Sequence, residues 1–181
     1  MTFYAKTSIA AALLGFLTLS ACVADDPEYQ AEKAAMRANA SKTNSQTAQT
    51  EFGPLIPICL AAIEKGSTVA DAQMAQLGFS PTPVFGDLKG YKKARGEGAM
   101  DRINFTNTTF SVGRNSCNFG LGNSAALQEG GAVLRNLLAS NGYQAIGQVK
   151  GGARFQKGGT TVELNGFSMS GTVSLNIKAI R

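Results

Sequence analysis

The stretch NGYQAIGQVKGGARFQKGGTTVELNG, residues 141–166, decides the fold class. Asn141-Gly142 stops whatever precedes it, and the apolar positions after it are too sparse and too regularly broken by glycine for a helix. They read as strands around Ala145, Phe155 and Val162 to Leu164, with Gly158-Gly159 and Asn165-Gly166 between them as turn signals. One more strand follows over Val173 to Ile177. Upstream, Leu127, Val133, Leu134, Leu137 and Leu138 recur at helical spacing and predict a helix from about Ser124 to Ser140. Gly130-Gly131 inside it costs up to about 1 kcal/mol per residue relative to alanine, which points to close packing against a sheet.

The first half of the domain has the same outline. Leu55, Ile56, Ile58, Cys59, Ala62 and Ile63 predict a short apolar helix, with Pro57 in its first turn and Gly66 closing it. Ser67 or Thr68 is positioned to cap a second helix, with Asp71 in its first turn, Val69, Ala72 and Leu77 on its buried side and Gly78 at its end. Alternation then marks strands at Ile103 and Phe105, at Phe110 and Val112, and at Cys117, Phe119 and Leu121. Gly78-Phe79 and Gly142-Tyr143 each follow a helix. Each aromatic precedes another by twelve residues, Tyr91 and Phe155, and each of those has a lysine two residues on, Lys93 and Lys157. The expectation is an α+β domain, helices packed on an antiparallel sheet, in two α-β-β-β units. That outline resembles the β-lactamase-inhibitor-protein-like folds, which include small outer-membrane-assembly lipoproteins; no function is carried over from them.

The start of the chain gives an address. Lys6 is a positive n-region, Ile9 to Leu19 an apolar h-region, and Leu19-Ser20-Ala21-Cys22 closes it. About a dozen apolar residues are too few to span a bilayer, which takes roughly 20, and suit a signal-peptide core. The segment resembles a bacterial lipobox. The resemblance implies cleavage before Cys22 and diacylglycerol on its sulfur, with three acyl chains in the mature form. Two chains already anchor a protein stably where one binds only marginally. Val23 is not the aspartate that retains such proteins at the inner membrane, so the resemblance implies the outer membrane, facing the periplasm. The alternative is cleavage after Ala24, which would release a soluble periplasmic protein. Residues 1–21 are thus read as signal peptide, 22–50 as lipidated cysteine and tether, and 51–181 as the domain. Within the tether, Asp25-Asp26-Pro27 can start a helix through Ala38, and the polar run from Asn39 to Gln49 is expected to stay disordered. A segment that folds on a partner is the other reading of that run.

Cysteine usage agrees with an oxidising compartment. With Cys22 lipidated, Cys59 and Cys117 remain as a disulfide pair closing a loop of nearly sixty residues. The chain-entropy argument values such a loop at about 4 kcal/mol.

Several chemistries are excluded by absence. The chain has no histidine, which removes Ser-His and Cys-His nucleophilic sites and the commonest metal ligand. No serine begins Ser-x-x-Lys, no phosphate-binding loop occurs, and Gly120-Leu121-Gly122 lacks the further glycine of a dinucleotide fingerprint. The domain's carboxylates, Glu51, Glu64, Asp71, Asp87, Glu97, Asp101, Glu129 and Glu163, could hydrolyse a glycan as a pair, but no spacing selects one. Neither cofactor nor metal is expected.

Charge is the remaining lead. Residues 51–181 hold thirteen lysines and arginines against eight acids. Lys89, Lys92, Lys93 and Arg95 cluster around Tyr91 and are the candidate contacts for an anionic partner, lipid, glycan or acidic protein. On a strand Lys92 and Lys93 would face opposite ways, so the four make one patch only in a loop; the other reading is a basic edge that discourages sheet-to-sheet aggregation. The expected role is non-catalytic binding or scaffolding toward an envelope complex or an anionic envelope component, with no nucleic acid. The alternative is an inhibitor of a lysozyme or other hydrolase, and a glycan hydrolase stands third.

Overall fold

A computed structural model describes residues 27–84, 86–94, 107–122, 127–169 and 172–180. The chain divides into two compact units, Met1–Ala40 and Ser41–Arg181. The described part of the first is helical and exposed throughout, and Lys33 Nζ lies 5.9 Å from the centroid of the Tyr29 ring one turn back. The signal segment and Cys22 lie outside the described residues, as does the strand expected at Ile103 and Phe105.

The helix that begins at Pro27 does not stop at Ala38. Helix α1 runs Pro27–Phe52, so the polar run expected to be disordered is helical, and the unit holding the sheet takes in residues 41–50, assigned to the tether from composition. A few contacts near its end fix this part of the helix: Ala48, Glu51 and Phe52 are buried, with the Phe52 ring edge-on to Phe119 at 5.3 Å between centroids. Helical stability in proteins comes mostly from such packing, which overrides a polar composition.

Helix α2, Leu55–Lys65, has Pro57 in its first turn and ends at left-handed Gly66. The Gly66 and Ser67 amides donate back to Ala62 and Ala61 carbonyls at 3.0 and 3.3 Å, which satisfies the last turn. Helix α3, Asp71–Gln76, is capped at Ala70 without a side-chain bond rather than by Ser67 or Thr68. Its buried residue is Met74, and Ala72 is exposed. Helix α4 is Leu127–Ser140. The strands are β1 Ser80–Thr82, β2 Lys89–Ala94, β3 Asn107–Val112, β4 Ser116–Leu121, β5 Gln144–Val149, β6 Gly152–Lys157, β7 Thr160–Met169 and β8 Thr172–Ile180.

All eight strands form one antiparallel sheet in the order β1-β2-β3-β4-β8-β7-β6-β5. Two four-stranded meanders, each preceded by a helix, meet along β4 and β8. The α+β class holds, with four strands in each half rather than an α-β-β-β outline. The second half's four match the four marked there, and the first half has β1 and β2 ahead of β3 and β4. Strand β1 was illegible because Pro81 and Pro83 break its pattern, and proline in a sheet is confined to edges; β1 is an edge.

The turn expected at Asn165-Gly166 is also corrected: β7 runs straight through both. A Cβ at Gly166 would lie 2.6 Å from Leu175 Cδ2 and 3.1 Å from Leu127 Cδ1. The glycine is there for close approach of α4 and β8, not for a reversal.

One sheet face is covered by helices. Tyr91, Phe110, Val112, Cys117, Phe119, Leu121, Phe155, Val162, Leu164, Val173, Leu175 and Ile177 point to it and are buried. The Cys59–Cys117 disulfide ties α2 to β4 with Cα atoms 5.8 Å apart, and both cysteines are fully buried. The buried apolar side chains of the described strands therefore lie on the helix side of the sheet.

Candidate binding face

The predicted basic cluster sits on a strand, and the strand divides it. Lys89 faces the helices, where its Nζ donates to the Val69 carbonyl at 2.9 Å and lies 3.7 Å from Asp71 Oδ1. Lys93 faces the same way, 3.2 Å from Glu51 Oε2, with its Nζ 5.6 Å from the Phe79 ring centroid. Lys92 points to the other face and is exposed. Arg95 lies outside the described residues. The four do not make one patch among the described residues, because alternation on β2 separates Lys92 from its neighbours.

What holds Lys93 is repeated at Lys157. Its Nζ is 3.3 Å from Glu64 Oε1 and 5.6 Å from the Tyr143 ring centroid. Gly78 and Gly142 carry φ of 81° and 85°, and each lies under the lysine's methylene stem. The Phe79 and Tyr143 amides donate to Met74 and Leu138 carbonyls at 3.0 and 3.1 Å. The echo in the sequence is thus a structural lock used once per unit: glycine turns the chain, the aromatic enters the core, and the lysine closes over it toward a helix carboxylate.

Two tyrosines complete these locks. Tyr91 Oη donates to Asp71 Oδ1 at 2.8 Å, and Tyr143 Oη to Glu64 Oε1 at 2.9 Å. Burial, reinforced by the carboxylate partner, pushes the Tyr91 hydroxyl up to about 12 and raises that of Tyr143 further. Of the candidate carboxylates, Glu51, Glu64, Asp71 and Glu163 are each paired with a cation, and Glu97 and Asp101 lie outside the described residues. No group of three histidine, cysteine or acidic residues that could hold a metal ion is found among the described residues.

One cavity beside Lys89, lined by Ala62, Val69, Asp87, Val112 and Arg114, has a volume of about 190 Å³. Ligand pockets run from about 300 Å³ upward. Its lysine is also already engaged, so it offers little to a ligand.

The other sheet face has a different composition. Its residues alternate with the buried ones of the helix side and form rows across the strands. One row is Ser111, Asn118, Asn176 and Asn165 on β3, β4, β8 and β7. Asn118 Nδ2 donates to Ser111 Oγ at 3.0 Å; Asn176 Nδ2 donates to Asn118 Oδ1 at 2.6 Å and to the Cys117 carbonyl at 3.2 Å. The row ends at Asn165, whose Oδ1 is buried without a hydrogen-bond partner among the described residues. The next row is Lys92, Thr109, Gly120, Ser174 and Phe167. Phe167 is 57 % exposed and lies where β7 runs on past its last partner on β6, Asn165 opposite Gly152. On a third row Arg154 Nε donates to Glu163 Oε1 at 2.7 Å, beside exposed Lys178.

Lys92 and Lys178 have no ion-pair partner among the described residues, whereas Lys89, Lys93, Lys157 and Arg154 each have one. Of the sheet's cations, Lys89, Lys93 and Lys157 are paired toward the helices, and on the open side Arg154 is paired while Lys92 and Lys178 are not, among the described residues. Ser111, Asn118 and Asn176 were not singled out from the sequence. The signal was present, since each alternates with buried Phe110 and Val112, Cys117 and Phe119, or Leu175 and Ile177, which places them together on the opposite face. No described helix is long and apolar enough to cross a membrane. Comparisons with protein-family models, with curated proteins and with solved structures found no match.

Proposed function

We propose that the protein is a lipid-anchored, non-catalytic binding protein of the bacterial envelope. It is held through Cys22 at the outer membrane facing the periplasm, and it binds through the open face of its sheet. The observation that carries this reading is the partition of the sheet. One face holds the buried apolar residues of the described sheet and three of its four ion pairs. The other presents a hydrogen-bonded line of amides and hydroxyls between two lysines with no ion-pair partner among the described residues. A surface built on a disulfide-tied antiparallel sheet loses little entropy when it binds, because its side chains are already oriented.

The test is site-specific photo-cross-linking in intact envelopes. With p-benzoylphenylalanine in place of Asn118, an adduct is expected; at Gln73, exposed on α3, none is. In the same strain Cys22→Ala should move the protein out of the membrane fraction and abolish the lipid mass. Adducts equal at both positions would remove the open face as the binding surface, and an unchanged membrane fraction and mass for Cys22→Ala would remove the anchor.

A second reading rests on Phe167. A single exposed aromatic where a hairpin outruns its neighbour on one side suits a plug for the active site of a lysozyme or other hydrolase. An adduct formed from position 167 with such an enzyme, and not from position 118, would favour it.

A further inference from the structure

We infer that the open sheet face takes an anionic polysaccharide, a hydroxyl-rich chain carrying carboxylate or phosphate groups; this rests on the binding role just proposed and names the ligand class for the same face.

The argument begins with unused hydrogen-bonding capacity. An asparagine amide has two N–H donors and a carbonyl with two lone pairs. Asn176 spends its Nδ2 on Asn118 and the Cys117 carbonyl, so its Oδ1 is left to accept. Asn118 gives one N–H to Ser111 and accepts one from Asn176, leaving one N–H and one lone pair. The Ser111 hydroxyl accepts from Asn118 and can still donate. Donors and acceptors therefore alternate over three adjacent strands, spaced about 4.8 Å apart. A run of sugar hydroxyls, each both donor and acceptor, complements such a line. An apolar or purely anionic surface does not.

The charge pattern supplies the anion. Lys92 and Lys178 flank the line on β2 and β8, exposed and without an ion-pair partner among the described residues. Strand spacing and rise put them roughly 20 Å apart, too far to share one anionic group and suited to successive groups on a chain. Phe167, at the far end of the Lys92 row, gives an apolar ring against which the carbon face of a sugar can lie.

The composition also decides against other partners. Protein interfaces concentrate their binding energy in buried Tyr, Trp and Arg anchors and are depleted in serine and lysine. Among the described residues this face has mostly Ser, Thr, Asn, Gly and Lys, one exposed aromatic, and an arginine already committed to Glu163. Single-stranded nucleic acid is gripped by several stacking aromatics along a basic groove, which one phenylalanine cannot supply. A lipid surface would call for an apolar band, and none is present among the described residues of this face.

Affinity electrophoresis of the full mature chain in detergent tests this, with polygalacturonate, a phosphomannan and neutral dextran cast in the gel. Retardation by one or both polyanions and not by dextran is expected. Lys92→Glu with Lys178→Glu should weaken that retardation at least tenfold and flatten its salt dependence. Asn118→Ala with Asn176→Ala should weaken it at every salt concentration, with circular dichroism confirming the fold in each variant. No retardation by either polyanion, or retardation unchanged in the lysine variant, overturns the inference. A protein adduct from position 118 in the envelope experiment would overturn it while leaving the binding role intact. Absence of both retardation and adduct would take the binding role with it.

Discussion

Lys93 was a candidate for recognition as a member of a charged cluster, and Lys157 was only its counterpart in the sequence echo; their surroundings show what they do. Each carries a flexible stem across a left-handed glycine, over an aromatic ring and onto a glutamate, the way long cationic side chains cover apolar surface while the charge stays at the rim. The carboxylates they reach belong to a wider arrangement, since Glu64 also accepts from Tyr143 and Asp71 accepts from Tyr91 beside Lys89. These tyrosines make stability depend on alkaline pH. Tyr91 is raised from 10.0 to about 12 in the native state. Above pH 10 the unfolded chain therefore gives up a proton that the native chain keeps. Native stability is at its full value below pH 10 and falls as pH rises toward 12, with Tyr143 acting in the same direction. Tyr91→Phe with Tyr143→Phe should be less stable at pH 8, by about 1.5–3 kcal/mol for each charge-assisted bond. Its melting temperature should then fall less steeply than wild type between pH 10 and 12. Parallel curves would mean the two hydroxyls are not what titrates.

At the scale of the element, legibility followed the apolar pattern and failed where something else set the structure. Helices α2 and α4, and strands β3, β4, β6 and β8, were readable because alternation or helical spacing matches what is buried. The second half of α1 was not, because a polar helix tied down by Ala48, Glu51 and Phe52 has no periodic stripe to show. The Asn165-Gly166 pair was misread because the same dipeptide that favours a hairpin turn also permits two backbones to approach. The open face was hidden differently: its residues alternate with the core, and a search for charge clusters passes over Ser111, Asn118 and Asn176. The Gly130-Gly131 pair, by contrast, repaid attention. A Cβ at Gly130 would stand 2.9 Å from Leu175 Cδ1 and 3.5 Å from Phe52 Cε2, whereas one at Gly131 meets nothing closer than 3.8 Å. Gly131→Ala is therefore expected to raise stability by about 0.5–1 kcal/mol through helix propensity. Gly130→Val should lower it by about 1–3 kcal/mol through overpacking. Urea unfolding monitored by circular dichroism would separate them, and an equal response would show that the two glycines do not differ in packing.

For the whole molecule, the disulfide and the strand order do related work. Cys59–Cys117 joins α2 to a strand of the first meander, and β4 of that meander is paired to β8 of the second. Replacing both cysteines by alanine should cost about 2–5 kcal/mol, read as a lower urea midpoint with the denaturant slope checked for a change in the unfolded state. An unchanged midpoint would mean the bridge constrains little that the core does not already hold.

The central position of β8 also sets a timetable. It fills the gap between β4 and β7, yet it comprises Thr172–Ile180, so the middle of the sheet is synthesised after the seven other strands. Until it arrives, β4 and β7 each present a bare edge along the flank it will occupy, and bare edges invite pairing with other chains. The contacts that close the sheet join residues as far apart as Ser116 and Lys178, which places the final step among the slow, non-local kind. A chain built this way benefits from being kept unfolded and apart from its copies until all of it has emerged, and a cut that removes β8 would leave two sticky halves rather than a slightly smaller protein.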